Sequence, residues 1–328
     1  MRVLITGGAG FIGSHLAETL LERGDDVYII DDLSTGSMDN IRQFKENPAY
    51  ADHFFVTIES ILNHDAMIEL TGICDVVFHM AAAVGVRYIL KHPLESIKTN
   101  IEGTEKILEL CNKFKKKVLI ASSSEVYGKH MHAPLVETDN LIYGPSTKFR
   151  WSYAASKLMD EFTGLAYYRT KGLNVIITRL FNTVGPRQTG AYGMVIPRFV
   201  KQALKNEPLT VYGDGSQTRT FTYVKDVVSG LISLMDSDNT AGEVFNIGGI
   251  EEISIVNLAE KIIRACNSSS KVELIPYEEA FEKDFEDMQR RVPGIEKIKD
   301  RVGFKPQTDL DTILSNVIES VKKRLSIT

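Results

Sequence analysis

The stretch Thr6-Gly7-Gly8-Ala9-Gly10-Phe11-Ile12-Gly13 constrains this chain more than any other. Val3, Leu4 and Ile5 before it read as a short buried strand. Ser14-His15-Leu16-Ala17-Glu18-Thr19-Leu20-Leu21 after it has the apolar spacing of an amphipathic helix. A tight turn needs positive φ, an approaching diphosphate needs bare backbone, and the helix must pack closely on the strand; these needs account for Gly7, Gly10 and Gly13. The helix N-terminus then offers unpaired N–H groups and a positive dipole end to an anion. A second apolar run, Asp26-Val27-Tyr28-Ile29-Ile30, ends at Asp31, where an adenosine ribose 2′-hydroxyl needs an acceptor. A carboxylate there repels a 2′-phosphate, so NAD is expected rather than NADP. The plainer alternative makes Asp31-Asp32 a helix-capping turn.

Strand and helix patterns keep alternating. Asp75-Val76-Val77-Phe78-His79-Met80-Ala81 and Lys117-Val118-Leu119-Ile120-Ala121-Ser122 are apolar runs of strand length. Between them, Asn100 to Phe114 carries Ile101, Thr104, Ile107, Leu108 and Cys111 at helical spacing. A helix from about Tyr153 to Arg169 precedes another strand, Leu173 to Leu180. The expectation is an α/β fold: a Rossmann-type, doubly wound parallel sheet with ligands at the carboxyl ends of its strands. From Asn182 onward Pro186, Pro197, Pro208, Gly213 and Gly215 punctuate shorter elements. This predicts a dinucleotide-binding domain over 1–181 and a smaller α/β substrate lobe over 182–328. The two interleave near 220–250, because Val244-Phe245-Asn246-Ile247-Gly248 has the look of a returning strand.

With 328 residues, 43% hydrophobic and 25% charged, the chain has the makeup of a soluble globular protein. A net charge of −5 offers no broad basic field for nucleic acid, and Lys113, Lys115, Lys116 and Lys117 read as a solvated helix end. Cys74, Cys111 and Cys266 lack metal-ligand spacing and are odd in number, so neither a metal site nor a disulfide framework is expected. A reduced, cytoplasmic setting follows. No leader is expected before a strand that starts at residue two, and no apolar run approaches membrane-spanning length.

Tyr153 and Lys157 form a Tyr-x-x-x-Lys pair on one helical face. A phenol with an ordinary pKa of ~10 is a poor base at neutral pH. A neighbouring ammonium and a nicotinamide cation would stabilise the phenolate. Ser123, at a strand end, can share the proton of a substrate hydroxyl. Alone such a pair is a helix face; after a dinucleotide turn and Ser122-Ser123-Ser124-Glu125-Val126-Tyr127-Gly128 it becomes specific.

These motifs resemble the extended short-chain dehydrogenase/reductases, in the nucleotide-sugar epimerase/dehydratase/decarboxylase branch. The resemblance spans nearly the whole chain. It includes the glycine turn, His79-Met80-Ala81-Ala82, Tyr153/Lys157, Asn182 before Gly185-Pro186-Arg187, and Leu209-Thr210-Val211-Tyr212-Gly213-Asp214-Gly215-Ser216-Gln217-Thr218-Arg219. It implies Ser123, Tyr153 and Lys157 as the catalytic triad. Around NAD it implies Gly7, Gly10, Phe11, Ile12, Gly13, Asp31, Asp32, Ser34, Thr35, Gly36, Glu59, Ser60, Ile61, Met80, Ala81, Ala82, Asn100, Tyr153 and Lys157. Glu59-Ser60-Ile61 departs from the usual Asp and aliphatic pair, which bears on the adenine contact. Around a nucleotide sugar, with uracil favoured as base, it implies Val86, Ser124, Glu125, Asn182, Arg187, Val195, Arg198, Thr210, Tyr212, Gln217, Arg219 and Arg291. Arg219 suits a diphosphate because a guanidinium binds two oxygens at once; Arg187 serves equally well to hold a loop. A homodimer built on the helices around Asn100–Phe114 and Tyr153–Arg169 is also implied.

Members of this branch begin by oxidising a sugar carbon, usually C4. The 4,6-dehydratases carry Thr-Asp-Glu where this chain has Ser123-Ser124-Glu125, and Ser124 is a poor proton donor. Simple 4-epimerases generally lack an acid at the Glu125 position. Ser-Glu-Val-Tyr-Gly is similar instead to UDP-glucuronate decarboxylases. So is the loop Tyr143-Gly144-Pro145-Ser146-Thr147-Lys148-Phe149-Arg150-Trp151-Ser152, and so is Gln289-Arg290-Arg291-Val292-Pro293, whose Arg291 would enter the active site. A C4 ketone makes the C6 carboxylate a β-keto acid, so CO₂ can leave while Ser123 and Tyr153 stabilise the enolate. Glu125 or Arg291 would then help reprotonate C5. The bland alternative has Glu125 buttressing the pocket and Arg291 contacting a phosphate or a surface acid. Decarboxylation of UDP-glucuronate or its N-acetylated analogue is the leading expectation. UDP-sugar 4-epimerisation, 4,6-dehydration and a non-catalytic sensor follow it; the intact triad argues against the sensor.

Overall fold

A computed structural model describes residues 1–130, 132–190, 194–280 and 288–326, without the side chains of 86, 87, 278 and 280. The first half runs β1 (Arg2–Thr6), α1 (Phe11–Glu22), β2 (Asp26–Asp31), α2 (Arg42–Glu46), β3 (Phe54–Ile58), α3 (His64–Ile73), β4 (Val76–His79), α4 (Val86–Lys91), α5 (Pro93–Phe114), β5 (Lys117–Ser123), α6 (Ser152–Lys171) and β6 (Val175–Leu180). The second half runs β7 (Thr183–Val184), α7 (Val195–Leu204), β8 (Leu209–Tyr212), β9 (Thr218–Thr220), β10 (Thr222–Tyr223), α8 (Val224–Asp236), β11 (Glu243–Ile247), β12 (Glu252–Ser254), α9 (Ile255–Ala265), β13 (Val272–Ile275), α10 (Tyr277–Ala280), β14 (Arg290–Arg291), α11 (Glu296–Val302) and α12 (Leu310–Leu325).

Seven strands form one parallel sheet in the order β11-β6-β5-β4-β1-β2-β3. Its inner strands are mainly apolar because both faces are covered, while the edge strand β3 leaves Phe55 and Ile58 exposed. Alternation assigns each side chain to a face: Val3, Ile5, Val27, Ile29 and Ile176 join the core under α1, α8 and α11. Leu4, Ile30, Val175 and Ile177 join the core under α3 and α5. Each fully buried aliphatic side chain contributes about 1.5–3 kcal/mol. The order reverses between β1 and β4, and a ligand crevice is expected there. No described helix is long and apolar enough to cross a membrane.

Helix α5 begins earlier than the apolar spacing suggested. Pro93 stands in its first turn, and the turns before Asn100 expose Leu94, Glu95 and Lys98, so they show no apolar stripe. Beyond β6, α7, α9 and α12 pack around Phe199, Leu209, Leu258 and Leu314 in a separate core. The expected returning strand is β11, which pairs in parallel with β6. Helix α8 lies against α1 and the sheet, so the chain passes back from the second core to the first.

Candidate active site

A cavity of about 520 Å³ follows the carboxyl ends of β1, β2, β4, β5 and β6 and continues to Tyr212, Arg219 and Arg291. At one end lies the glycine turn. Gly7 has φ +71°, and a Cβ there would meet Ala81 N at 2.8 Å. A Cβ on Gly13 would stand 2.2 Å from Gly7 O, so the turn closes only without side chains. Helix α1 starts at Gly10 with no side-chain cap and no acid in its first turn, leaving its N–H groups and dipole for an incoming anion. Asp31 ends β2 and accepts from Ala9 N at 2.9 Å and Leu33 N at 2.8 Å. A Cβ on Gly36 would press on this carboxylate at 2.7 Å. An open diphosphate cradle beside a fixed carboxylate fits a dinucleotide with a free ribose diol.

Most residues expected around the cofactor line this cavity: Gly7, Gly10, Phe11, Ile12, Gly13, Asp31, Asp32, Ser34, Thr35, Ile61, Met80, Ala81, Ala82 and Tyr153. Gly36 gives Asp31 room. Glu59 folds back on Ser60 N at 2.7 Å, and the Ser60 hydroxyl accepts from Leu62 N at 3.2 Å, so of that trio Ile61 faces the cavity. Asn100 acts from behind: it accepts from Ala83 N at 2.8 Å and donates to Ser156 Oγ at 3.1 Å, tying the loop after β4 to α6.

Strand β5 ends at Ser123, whose Oγ accepts from Glu125 N at 3.2 Å and opens a short 3₁₀ turn. Tyr153 enters from the first turn of α6 and hydrogen-bonds the Ser123 side chain. Burial raises the Tyr153 phenol above its ordinary pKa, and the Glu125 charge adds to this. Lys157 follows one turn on, on the same face of α6. Its ammonium pairs with Asp160 at 2.9 Å, both side chains being at most 2% exposed. The two lie three residues apart on one helical face, and a buried ammonium is drawn to the nearest carboxylate.

Away from the glycine turn, Glu125 is held by two guanidiniums. Arg150 Nη2 lies 2.9 Å from Oε2 and Arg291 Nη1 lies 2.5 Å from Oε1. Arg291 also donates to Asn182 Oδ1 at 2.6 Å. Burial alone would raise the Glu125 carboxyl, but Arg150, Arg291 and Arg219 overrule it and hold the pKa at about 2. Arg150 was not among the expected site residues. Its signal was its place three residues before Tyr153, one helical turn away.

Further along, the Arg198 guanidinium stacks 4.3 Å from the Tyr212 ring centroid, and Gln217 donates to Tyr212 O at 2.9 Å. Ser124, Asn182, Val195, Arg198, Tyr212, Gln217, Arg219 and Arg291 all line the cavity. Two expected ligands do not. Thr210 accepts from Arg198 at 3.0 Å and supports it. Arg187 turns to α1, 2.9 Å from Glu18 and over the Phe44 ring, so of its two readings the structure takes the loop-holding one. The Val86 side chain lies outside the described residues.

A parallel sheet with a glycine turn at its switch point and a Tyr/Lys pair beside a strand-end serine defines a nucleotide-dependent oxidoreductase-type site. The family model described as GDP-mannose 4,6 dehydratase matches residues 4–317. The chain belongs to this family, within the extended short-chain dehydrogenase/reductases. It is 43% identical over 319 residues to the UDP-N-acetyl-alpha-D-glucosaminuronate decarboxylase of Bacillus cytotoxicus, covering 97% of each chain. It is 34% identical to UDP-glucuronic acid decarboxylase 1 of Arabidopsis thaliana, over 99% of this chain and 71% of the plant protein. Among solved structures it resembles UDP-glucuronic acid 4-epimerase from Bacillus cereus, in complex with UDP-glucuronic acid and NAD. That likeness has a TM-score of 0.88 and 31% identity, over 99% of this chain and 100% of the epimerase.

Proposed function

We propose that this enzyme decarboxylates a UDP-linked hexuronic acid, either UDP-glucuronate or its 2-N-acetylated analogue, with NAD as a recycled cofactor. The observation that carries the reading is the clamp on Glu125. One carboxylate faced by Arg150 and Arg291, with Arg219 near, leaves the sugar end net positive. A C6 carboxylate is matched by that charge; a hydroxymethyl group has no use for it. Two relatives named as uronic acid decarboxylases support the same class.

The glycine turn and the α1 N-terminus would hold the cofactor diphosphate, and Asp31 the adenosine ribose. Bound there, a nicotinamide would supply the hydride acceptor for oxidation at C4 and the donor for its reversal. Tyr153, paired with Ser123, takes the C4 hydroxyl proton. The resulting ketone stands β to the C6 carboxylate, so the C5–C6 electron pair flows into the ketone as CO₂ departs. Ser123 and Tyr153 then hydrogen-bond the enolate oxygen. Glu125, held ionised, is unsuited to donate a proton; it places the two guanidiniums, and Arg291 is the group left to assist at C5. Arg219, Arg198 and Tyr212 suit the diphosphate and base. The two regions of the chain serve as cofactor domain and substrate lobe.

A second reading, 4-epimerisation of the same uronic acid, is favoured by the likeness to the Bacillus cereus epimerase. Incubation with UDP-glucuronate, UDP-N-acetylglucosaminuronate, UDP-glucose and UDP-N-acetylglucosamine, with products identified by mass and NMR, decides between them. Loss of about 44 mass units, one CO₂, from a uronate supports decarboxylation. An unchanged mass with inverted C4 rejects it.

A further inference from the structure

We propose that Glu18 and Arg187 are positioning residues. Their ion pair latches the loop Gly185–Gly190 to helix α1 and sets how firmly the cavity holds the nicotinamide end of its dinucleotide. The inference rests on the reading of the cavity as an NAD site. The loop follows β6 and β7, and Gln188, Thr189 and Gly190 line the cavity. Strand β6 runs beside β5, with Leu180 level with Ser123. The loop therefore stands at the reacting end, with β5, β4 and β1 between its strand and β2, where Asp31 lies. Hydride transfer needs the nicotinamide beside Ser123 and Tyr153, and the adenosine ribose goes with Asp31.

Among the described residues the loop is gripped from both cores. Pro186 O accepts from His15 Nε2 at 2.9 Å. Arg187 Nη2 lies 2.9 Å from Glu18 Oε2, and its guanidinium carbon stands 5.3 Å from the Phe44 ring centroid. From the other side Arg324, near the end of α12, donates to Gln188 O at 3.0 Å. Arg187 has φ +67°, a left-handed backbone that strains a residue with a side chain. The ion pair and the ring contact offset that strain, so the path of the loop depends on them. Burial would raise the Glu18 carboxyl, but the His15 hydrogen bond and the Arg187 charge overrule it and hold the pKa at about 2. The pair is therefore charged at neutral pH. Neither side chain lines the cavity, so the pair acts through the loop it holds.

Without the pair, His15 and Arg324 still tie the loop, which is loosened rather than detached. The glycine turn lies about two helical turns before Glu18 and keeps its own geometry. Diphosphate binding should then persist while the hold on the nicotinamide weakens.

Cofactor-stripped Glu18→Gln and the unmodified enzyme are titrated with NAD⁺ and with ADP, which has the adenosine and diphosphate but no nicotinamide. Any change of field at the α1 N-terminus acts on both ligands, so the readout is the ratio of their dissociation constants. That ratio should move against NAD⁺ by roughly tenfold, within the range of coupling between distinct sites. Arg187→Gln should move it equally, which also serves if Glu18→Gln fails to fold. The double variant should lose no more than either single one, as for two residues acting as a unit. Arg187→Lys, which keeps the charge, should recover part of the loss. An unchanged ratio, equal weakening of both ligands, or additive losses in the double variant overturns the latch. Binding of neither ligand by the unmodified enzyme would overturn the cofactor reading, and the latch with it.

Discussion

Arg291 reaches Glu125 across a sequence separation of 166 residues, placing Nη1 2.5 Å from Oε1 while its other terminal nitrogen holds Asn182. The contact joins β14 to the turn after β5, so a residue far along the chain completes the strand-end site. Truncation to Arg291→Ala should impair CO₂ release more than C4 oxidation, so that NADH and a 4-keto acid accumulate in a stopped reaction. Tyr153→Phe should suppress both by about 10²–10⁴-fold, because a residue acting in the first step controls each later one. Equal loss of the two steps in Arg291→Ala would place the arginine in substrate binding alone.

Cofactor choice should depend on Asp31. Its carboxylate sits at the end of β2 beside Gly36, where a 2′-phosphate would meet a fixed negative charge. Asp31→Ala should weaken NAD and narrow the gap between NAD and NADP in equilibrium binding. An unchanged preference would move the ribose contact elsewhere.

Acid stability should carry the signature of Glu125. Its folded pKa of about 2 lies below the ordinary 4.5, so it stabilises the fold above the unfolded value. That contribution drains away as pH falls from about 4.5 toward 2, where the unfolded chain binds a proton that the folded site refuses. Denaturant unfolding between those limits should lose stability less steeply in Glu125→Gln. The same variant should be less stable at neutral pH, with two guanidiniums left without their anion. Parallel acid curves would assign the effect to other carboxylates.

Assembly offers a fourth test. Met159 and Phe162 on α6 are 49% and 58% exposed, and Leu94 on α5 is 83% exposed. Such apolar side chains on two adjacent helices suit a face shared by two copies of the chain. Phe162→Glu should turn a dimer into a monomer in sedimentation, and a wild-type chain that is monomeric at micromolar concentration would end the idea.

Much of this was legible in sequence where chemistry is local. The glycine turn, Asp31 and the Tyr153/Lys157 spacing are each dictated within a few residues by backbone sterics and helix period. The two-residue pairing of β7 with β10 and of β14 with β9 was not, since no propensity window is that short. Partner choice was the other blind spot. That the buried Lys157 ammonium pairs with Asp160 was not anticipated from the sequence. Arg187 shares its motif with cavity residues but pairs with Glu18, 169 residues back along the chain, a contact that no local pattern announces. The role of Arg150 emerged only once Glu125 and Arg291 had been brought beside it.

The return of β11 to the edge of the large sheet limits how the molecule can be altered. Among the described residues after Asn182 the chain leaves the first core, comes back for α8 and β11, departs for β12 and α9, and touches the sheet again through α11. A chimera that exchanged sugar preference by swapping everything after β6 would also remove a sheet edge and the packing over α1. Recombination at one junction is therefore closed to this fold. New substrate preference has to arise by point changes and loop replacement around a scaffold that stays whole.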